Sequence, residues 1–171
     1  MSDGSLSDDA EAAVRQRLAQ LGIEHEIVPC DPDRADTAAF CETYGYALDD
    51  SANTIVVAGK SSPPTYAACV VLATTRLDVN RVVRRRLGVS KASFASADAT
   101  HALTGMAIGG VTVFGLPDDL PIWVDARVMT RERIVLGGGS RRCKIVASPS
   151  ILRALAGVEI VEGLATPAEQ P

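Results

Sequence analysis

Two apolar runs separated by a turn-forming segment place the strongest constraint on the fold of this chain. The runs are TIVVA at residues 54–58 and AACVVLA at residues 67–73, and both contain the β-branched residues that strands favour. Between them lies GKSSPPT, whose glycine, serines and prolines are typical of a turn. The pattern predicts an antiparallel β-hairpin. Because its hydrophobicity is continuous rather than alternating, we expect both faces of the strands to be covered.

The segments around the hairpin predict a few helices and then many short strands. Asp8 or Asp9 could cap a first helix that ends at Gly22, and Asp78 and Asp98 could cap two helices after the hairpin. From residue 105 the chain changes to the glycine-punctuated stretches GGVTVFG, PIWVDARV, RIVLGGGS and CKIVAS. This order predicts an α+β fold, in which a mixed, mostly antiparallel sheet curls into a barrel-like core with helices packed outside.

Length and composition favour one globular domain. The 171 residues are 47% hydrophobic and 22% charged, so a core can form without disulfides, and we expect one domain with an ordered core at about residues 8–164. The chain has no run of 18 apolar residues and its N-terminus is acidic, which predicts a cytoplasmic protein with no membrane partner. Four cysteines without CxxC spacing and only two histidines predict neither a metal nor another cofactor.

The net charge of −4 conceals a basic middle segment. Residues 76–144 contain twelve Lys and Arg against six Asp and Glu, whereas the rest of the chain has five against fifteen. A basic face on an acidic protein is compatible with a polyanionic partner. It is equally compatible with a solvated helix face, because the arginines of residues 81–85 lie on the polar side of a predicted helix.

A linked series of motifs that begins at residue 77 resembles a known family. LDVNRVVRRRLG predicts a helix, and ASADATHALTGMAIGG then carries an Ala-Asp segment before a TG-x3-GG loop. Asp125 follows the apolar PIWV, and a GGGS loop comes after it. This order is similar to the YbaK/ProX family of aminoacyl-tRNA deacylases, and the likeness covers residues 10–164 in outline.

The resemblance implies a trans-editing hydrolase that deacylates mischarged aminoacyl-tRNA. Editing is needed because one methylene changes binding in a synthetase pocket by only about 1–3 kcal/mol. The ester would be attacked by water or by a ribose hydroxyl, while backbone N–H groups of glycine loops stabilise the oxyanion. The implied partners are aminoacyl-tRNA and an aminoacyl-tRNA synthetase; DNA is not among them.

Candidate site residues follow from the same resemblance. The catalytic candidates are Asn53, Gly109, Gly110 and Asp125. The substrate-binding candidates are Thr104, Gly137, Gly138, Gly139 and Ser140, and the arginines expected on tRNA phosphates are Arg81, Arg84, Arg85, Arg141 and Arg142. From the residues alone, the glycines could instead mark tight strand turns, and the aspartate could cap a loop.

Two positions depart from the family's pattern. The family normally places a lysine that lines the site just before the first hairpin strand, in a K-T/S-L pattern. Here Asn53 holds that position, and an amide carries no charge. Val113 stands where the family's GG-x-x-P motif has proline. The alternative to an active deacylase is therefore a catalytically weak or inactive binding module for an aminoacyl-adenosine-like ligand, tRNA or a synthetase. A domain with a vestigial cavity is a third hypothesis.

Overall fold

The computed structural model describes residues 2–168, and within the first helix it describes side chains from residue 8 onward. The α-helices in this part of the chain are α1 (Ser2–Leu21), α2 (Thr37–Tyr44), α3 (Arg84–Leu87), α4 (Ala97–Thr104) and α5 (Ser150–Arg153). The strands are β1 (His25–Pro29), β2 (Ala52–Gly59), β3 (Thr65–Leu72), β4 (Thr75–Leu77), β5 (Ala92–Phe94), β6 (Ile122–Asp125), β7 (Ile134–Gly137), β8 (Cys143–Ala147), β9 (Val158–Val161) and β10 (Ala165–Pro167). A π-helical turn, Val79–Val83, leads into α3.

The strands form three sheets with the orders β1-β8-β7, β5-β2-β3-β6-β9 and β10-β4. Only the β3–β6 and β6–β9 pairs are parallel among the described strands. The predicted α+β fold with mixed, mostly antiparallel pairing is therefore confirmed. The described residues contain no closed barrel, so the barrel-like core is not confirmed.

The predicted hairpin is confirmed in full register. β2 and β3 pair from Ala52 opposite Leu72 to Gly59 opposite Thr65. Alternate residues of β3 face two different clusters: Ala68 belongs to the cluster that includes Leu18 of α1, whereas Cys69 belongs to the one that includes Trp123. Because each face of this strand has its own core, the continuous hydrophobicity of the sequence is explained.

Two predicted helix caps are wrong. α1 begins at Ser2, so Asp8 and Asp9 lie inside the helix rather than at its start. At α4 the cap is Ser96, whose Oγ accepts a hydrogen bond from the Ala99 N–H at 3.0 Å. A serine with extended backbone one residue before the first helical turn reaches that N–H, whereas a residue inside the turn does not.

The stretch GGVTVFG, residues 109–115, is an irregular loop and not a strand. Gly109 and Gly115 have φ values of +94° and +82°, which an extended strand does not contain. The intervening Val113 and Phe114 are both buried in the larger core cluster. The loop contains apolar residues because it packs into the core, and these residues gave the sequence its resemblance to a strand.

None of the described helices is both long and apolar enough to span a bilayer.

Candidate functional site

A cavity of about 410 Å³ lies where the three-stranded and five-stranded sheets approach each other. The approach is marked by an isolated bridge between Ser51, just before β2, and Val135 of β7. The start of α2, Phe94 of β5, Thr100 of α4 and loop residues 108, 109 and 111 complete the wall. The lining residues are Ala35, Asp36, Thr37, Phe40, Ser51, Ala52, Asn53, Thr54, Ile55, Val56, Phe94, Ala95, Thr100, Ile108, Gly109, Val111, Val135, Leu136, Gly137 and Lys144.

Asn53 lines this cavity together with Gly109. The Asn53 Oδ1 accepts a hydrogen bond at 2.9 Å from the Thr37 hydroxyl at the start of α2. The neighbouring Thr54 also lines the cavity, and its buried hydroxyl has no partner among the described residues. The structure therefore brings two polar residues near the start of β2 to the cavity.

Lys144 is the cavity residue that the sequence did not reveal. It lies on β8, is only 7% exposed, and its Nζ donates a 2.8 Å hydrogen bond to the Gly109 carbonyl. Its ammonium also stands 5.6 Å from the centre of the Phe40 ring. Among side chains 8–168 it forms no salt bridge. Buried lysines are normally paired, so a buried ammonium that has no carboxylate partner among these side chains favours an anionic group in the cavity.

The ionisation of Lys144 reflects its burial. Burial lowers the pKa of its ammonium below the ordinary value of 10.5, and the Arg141 charge lowers it further, while Cys30 and Asp36 act in the opposite direction. An anion in the cavity would offset the cost of burial and favour the charged form. The available sequence signal was one lysine within CKIVA, a strand that is otherwise apolar and buried.

The register of β7 and β8 explains how the lysine fits. Lys144 lies directly opposite Gly137, and residues directly opposite one another share a face of the sheet. Gly137 has no side chain, and both residues line the cavity. The missing side chain at Gly137 lets the backbone of residues 110 and 111 approach the sheet beside the lysine.

The two predicted glycine loops pack directly against each other. A Cβ at Gly137 would lie 2.2 Å from the Val111 carbonyl oxygen, and one at Gly110 would lie 2.5 Å from the Ser140 backbone. The Gly110 carbonyl also accepts a hydrogen bond from the Gly139 N–H at 2.8 Å. These contacts leave no room for side chains and fix the cavity wall.

Only part of the predicted glycine set reaches the cavity. Gly109 and Gly137 line it, whereas Gly110, Gly138, Gly139 and Ser140 do not. The Gly110 N–H is occupied by the Ala107 carbonyl at 2.9 Å, while the Gly109 N–H has no acceptor among the described residues. Gly109 is therefore the better candidate for an oxyanion donor.

Thr104 and Ser140 serve neighbouring backbone and side chains instead. The Thr104 hydroxyl donates to the Thr100 carbonyl at 2.7 Å and accepts from the Met106 N–H at 3.1 Å, where α4 ends. Ser140 donates to the Glu11 carboxylate and accepts from the Arg142 N–H at 3.0 Å. The buried Thr100, one turn before Thr104, is the α4 residue that lines the cavity.

Asp125 does not line the cavity. Its carboxylate is completely buried, and Oδ1 accepts from the Ala165 N–H at 3.2 Å. Its Oδ2 lies 3.8 Å from the Arg127 guanidinium, which donates to the Ala165 carbonyl at 2.6 Å. These contacts connect the end of β6 to β10, so the structure gives this aspartate a structural contact rather than a place in the cavity.

We expect Asp125→Ala to lower the free energy of unfolding by about 1–3 kcal/mol, because the buried Ala165 N–H loses its acceptor. Urea unfolding measures this loss. Asp125→Asn, which keeps an acceptor oxygen, is the matched variant and should lose less. An alanine variant as stable as the wild type, with weakened hydrolysis, would return Asp125 to a catalytic role.

The predicted tRNA-binding arginines fall into two groups. Arg81, Arg84 and Arg85 lie on the π-helical turn and α3, where Arg81 and Arg85 are exposed. Arg141 instead donates to the Pro32 and Ile108 carbonyls and to Asp36, all within 3.0 Å. Arg142 pairs with Asp8 and Glu11 of α1. The guanidinium groups of Arg141 and Arg142 are therefore engaged in contacts within the protein.

The fold and the site define a small α+β protein with a cation-containing cavity between two sheets. The chain belongs to the aminoacyl-tRNA editing domain family, whose model matches residues 31–155. The resemblance to YbaK/ProX-type proteins is thereby confirmed, and family membership supports an aminoacyl-tRNA editing role.

Known proteins with similar sequence or structure cover most of the chain. YwhH of Bacillus subtilis (strain 168), described as uncharacterized, is 26% identical over 140 residues, which are 82% of this chain and 87% of YwhH. A solved structure described as a proposed trans-editing enzyme for prolyl tRNA synthetase is 22% identical and has a TM-score of 0.78, covering 93% of this chain and 98% of that one. A hypothetical protein of known structure gives a TM-score of 0.78 at 21% identity, covering 90% of this chain and 99% of the other. These structures share the fold.

Proposed function

We propose that this protein hydrolyses the ester of mischarged aminoacyl-tRNA in trans. We further propose that Lys144 supplies the positive charge that the family's pattern would place at position 53. The observation that carries the proposal is the presence of Lys144, Asn53 and Gly109 in the lining of one cavity. Although Asn53 replaces the lysine of the motif on β2, the cavity still contains a positive charge, because Lys144 of β8 provides it.

The cavity would receive the aminoacyl group and the ribose of the terminal adenosine. Its volume of about 410 Å³ is within the range of small-molecule sites. The Asn53 amide can hold a carbonyl or a ribose hydroxyl. The Gly109 N–H and the Lys144 ammonium would stabilise the oxyanion that forms when the ester carbonyl is attacked.

The reaction would proceed by addition of water to the ester carbonyl carbon. The bond between this carbon and the ribose oxygen then breaks, the ribose oxygen takes a proton, and the amino acid leaves as a carboxylate. No histidine is present among the described residues that line the cavity, and Asp36 is paired with Arg141. That hydrogen bond lowers the pKa of Asp36 and makes its carboxylate a weak base. We therefore assign the proton transfer to a relay through the substrate: the neighbouring ribose hydroxyl accepts a proton from the attacking water as it passes its own proton to the departing ribose oxygen.

The test is a deacylation assay of the full chain against a panel of mischarged tRNAs. Because a structure with the same fold is described as a proposed trans-editing enzyme for prolyl tRNA synthetase, mischarged tRNAs of that synthetase are the first substrates to include. We expect release of one or a few wrong amino acids and no release of the correct one. Binding of aminoacyl-adenosine measured in parallel identifies the alternative: binding without release would make the protein a binding module, which the neutral amide of Asn53 favours.

The buried lysine also predicts a pH-dependent stability. Between the lowered pKa of Lys144 and 10.5, the unfolded chain binds more protons at this residue than the folded chain does. The free energy of unfolding attributable to Lys144 should therefore rise with pH across that interval and be constant below it. Denaturant unfolding of the wild type and of Lys144→Met over a pH series measures the difference. A difference that is constant at all pH values would mean that the lysine is not buried as described.

A further inference from the structure

A second cavity, of about 660 Å³, adjoins the first and has no part in the hydrolysis described above. β4, the π-helical turn, β5 and β10 form its walls. Phe94 is the residue that lines both cavities. The polar and aromatic groups of this second cavity are Arg76, Asp78, Asn80, Arg81, Ser93, Phe94 and Thr166.

Phe94 presents its ring to solvent. The residue is 58% exposed, although it lies in strand β5 and pairs with Val57 of β2. β5 is the edge strand of its sheet, so one side of it is open. An exposed aromatic ring at the junction of two cavities is suited to stacking on a planar group of a ligand.

Two exposed arginines stand in the same cavity without partners. Among side chains 8–168, neither the Arg76 nor the Arg81 guanidinium forms a salt bridge or donates a hydrogen bond. By contrast, Arg84 and Arg85 donate to the Asn80 and Arg81 carbonyls. The cavity's one carboxylate, that of Asp78, accepts from the Arg81 backbone N–H at the start of the π-helical turn. The two free guanidinium groups are therefore available to an anionic ligand.

We infer that this second cavity binds the unpaired nucleotides that precede the terminal adenosine of the tRNA. A base stacks on Phe94, and the adjoining phosphates lie against Arg76 and Arg81. An aromatic ring beside free cations is the combination with which proteins hold single-stranded nucleic acid without reading its sequence. The inference rests on the proposed function, because it places the terminal aminoacyl-adenosine in the first cavity and leads the strand out past Phe94.

The first experiment measures binding without any hydrolysis. A labelled, uncharged oligoribonucleotide that ends in CCA is titrated with the full chain, and fluorescence anisotropy gives the affinity. Phe94→Ala should weaken binding roughly tenfold, and Phe94→Tyr should restore it, because either aromatic ring stacks on a base. Leu48→Ala removes another exposed apolar side chain, which is 45% exposed and lines neither cavity, and should leave the affinity unchanged.

The second experiment uses salt to detect the phosphate contacts. Arg76→Ala and Arg81→Ala should each reduce the slope of log affinity against log salt by about 0.7, the value for one phosphate contact on a single strand. Arg153→Ala, an exposed arginine on α5, is the matched control and should leave the slope unchanged.

Several outcomes would overturn the inference. They are wild-type protein that does not bind the oligonucleotide, unchanged affinity in Phe94→Ala, or the same loss of affinity in Leu48→Ala. Hydrolysis of a free aminoacyl-adenosine by the wild type decides the separate question of function, since that small substrate needs only the first cavity. Hydrolysis without oligonucleotide binding would therefore reject the second site and retain the deacylase.

Discussion

Lys144→Met should lower the rate of ester hydrolysis about a hundredfold, the usual effect of removing one donor to an oxyanion. The same variant should be at least as stable as the wild type. Methionine fills a similar volume, and the change removes a buried cation that has no carboxylate partner among the described side chains. Single-turnover deacylation and urea unfolding measure the two effects. A lower rate of hydrolysis together with unchanged or higher stability would mark Lys144 as a residue of the site, because a residue that only supports the fold would lose stability when it is replaced.

Lys60→Met is the matched control. Lys60 is exposed in the turn between β2 and β3 and does not line the cavity, so the same substitution there should change neither rate nor stability. A restored charge gives a second test: Asn53→Lys in the Lys144→Met background should recover part of the lost rate, because residue 53 lines the same cavity. Full activity of Lys144→Met, or an equal loss in Lys60→Met, would reject the proposed role.

Gly137→Ala should cost about 3 kcal/mol of stability, at the upper end of the usual cost of overpacking. The added Cβ would lie 2.2 Å from the Val111 carbonyl oxygen and 3.0 Å from that of Gly110. Both contacts are backbone, so no side chain can rotate away and the two loops must separate. In a domain of this size each kcal/mol lowers the midpoint of thermal unfolding by roughly 2–4 °C, which calorimetry detects. Hydrolysis by the protein that remains folded should fall as well, because the cavity wall shifts.

Gly157→Ala provides the comparison for this effect. A Cβ at Gly157 meets nothing within 4 Å, although the φ of +79° is unfavourable for alanine. This variant should lose about 1–2 kcal/mol from backbone strain and keep the specific activity of the folded protein. Equal stability and equal activity in the two variants would contradict the account of the glycine wall.

The hairpin could be predicted from the sequence because its signal is local. Two β-branched runs and the turn between them lie within one short segment, and their pairing needs no distant partner. The family's motifs, which fix the order of the strand and the loop, pointed to Asn53 and Gly109, and both residues line the cavity. The helix cap at Asp98 failed for a local reason, since Ser96, two residues earlier, caps the helix by accepting from the Ala99 N–H and so starts the helix before Asp98.

Lys144 could not be predicted, because its position depends on how two sheets pack. It is 91 residues from Asn53 in the chain, and nothing local connects β8 to β2. The same limit affects charged residues whose partners are distant. Arg142 has the sequence features of a phosphate ligand but pairs with Asp8 and Glu11 of α1. Asp125 likewise has the position of a catalytic aspartate but accepts a hydrogen bond from Ala165.

The hydrogen bonds that hold the loop at residues 108–110 determine how a substrate can enter and leave. Three successive carbonyls, those of Ile108, Gly109 and Gly110, accept from Arg141, Lys144 and Gly139. Opening this loop would break all three bonds together, so we expect it to act as a fixed wall during turnover. In a trans peptide the N–H points away from the preceding carbonyl, so the Gly109 N–H is oriented before any substrate arrives. Exchange of substrate and product then needs no opening step of this loop.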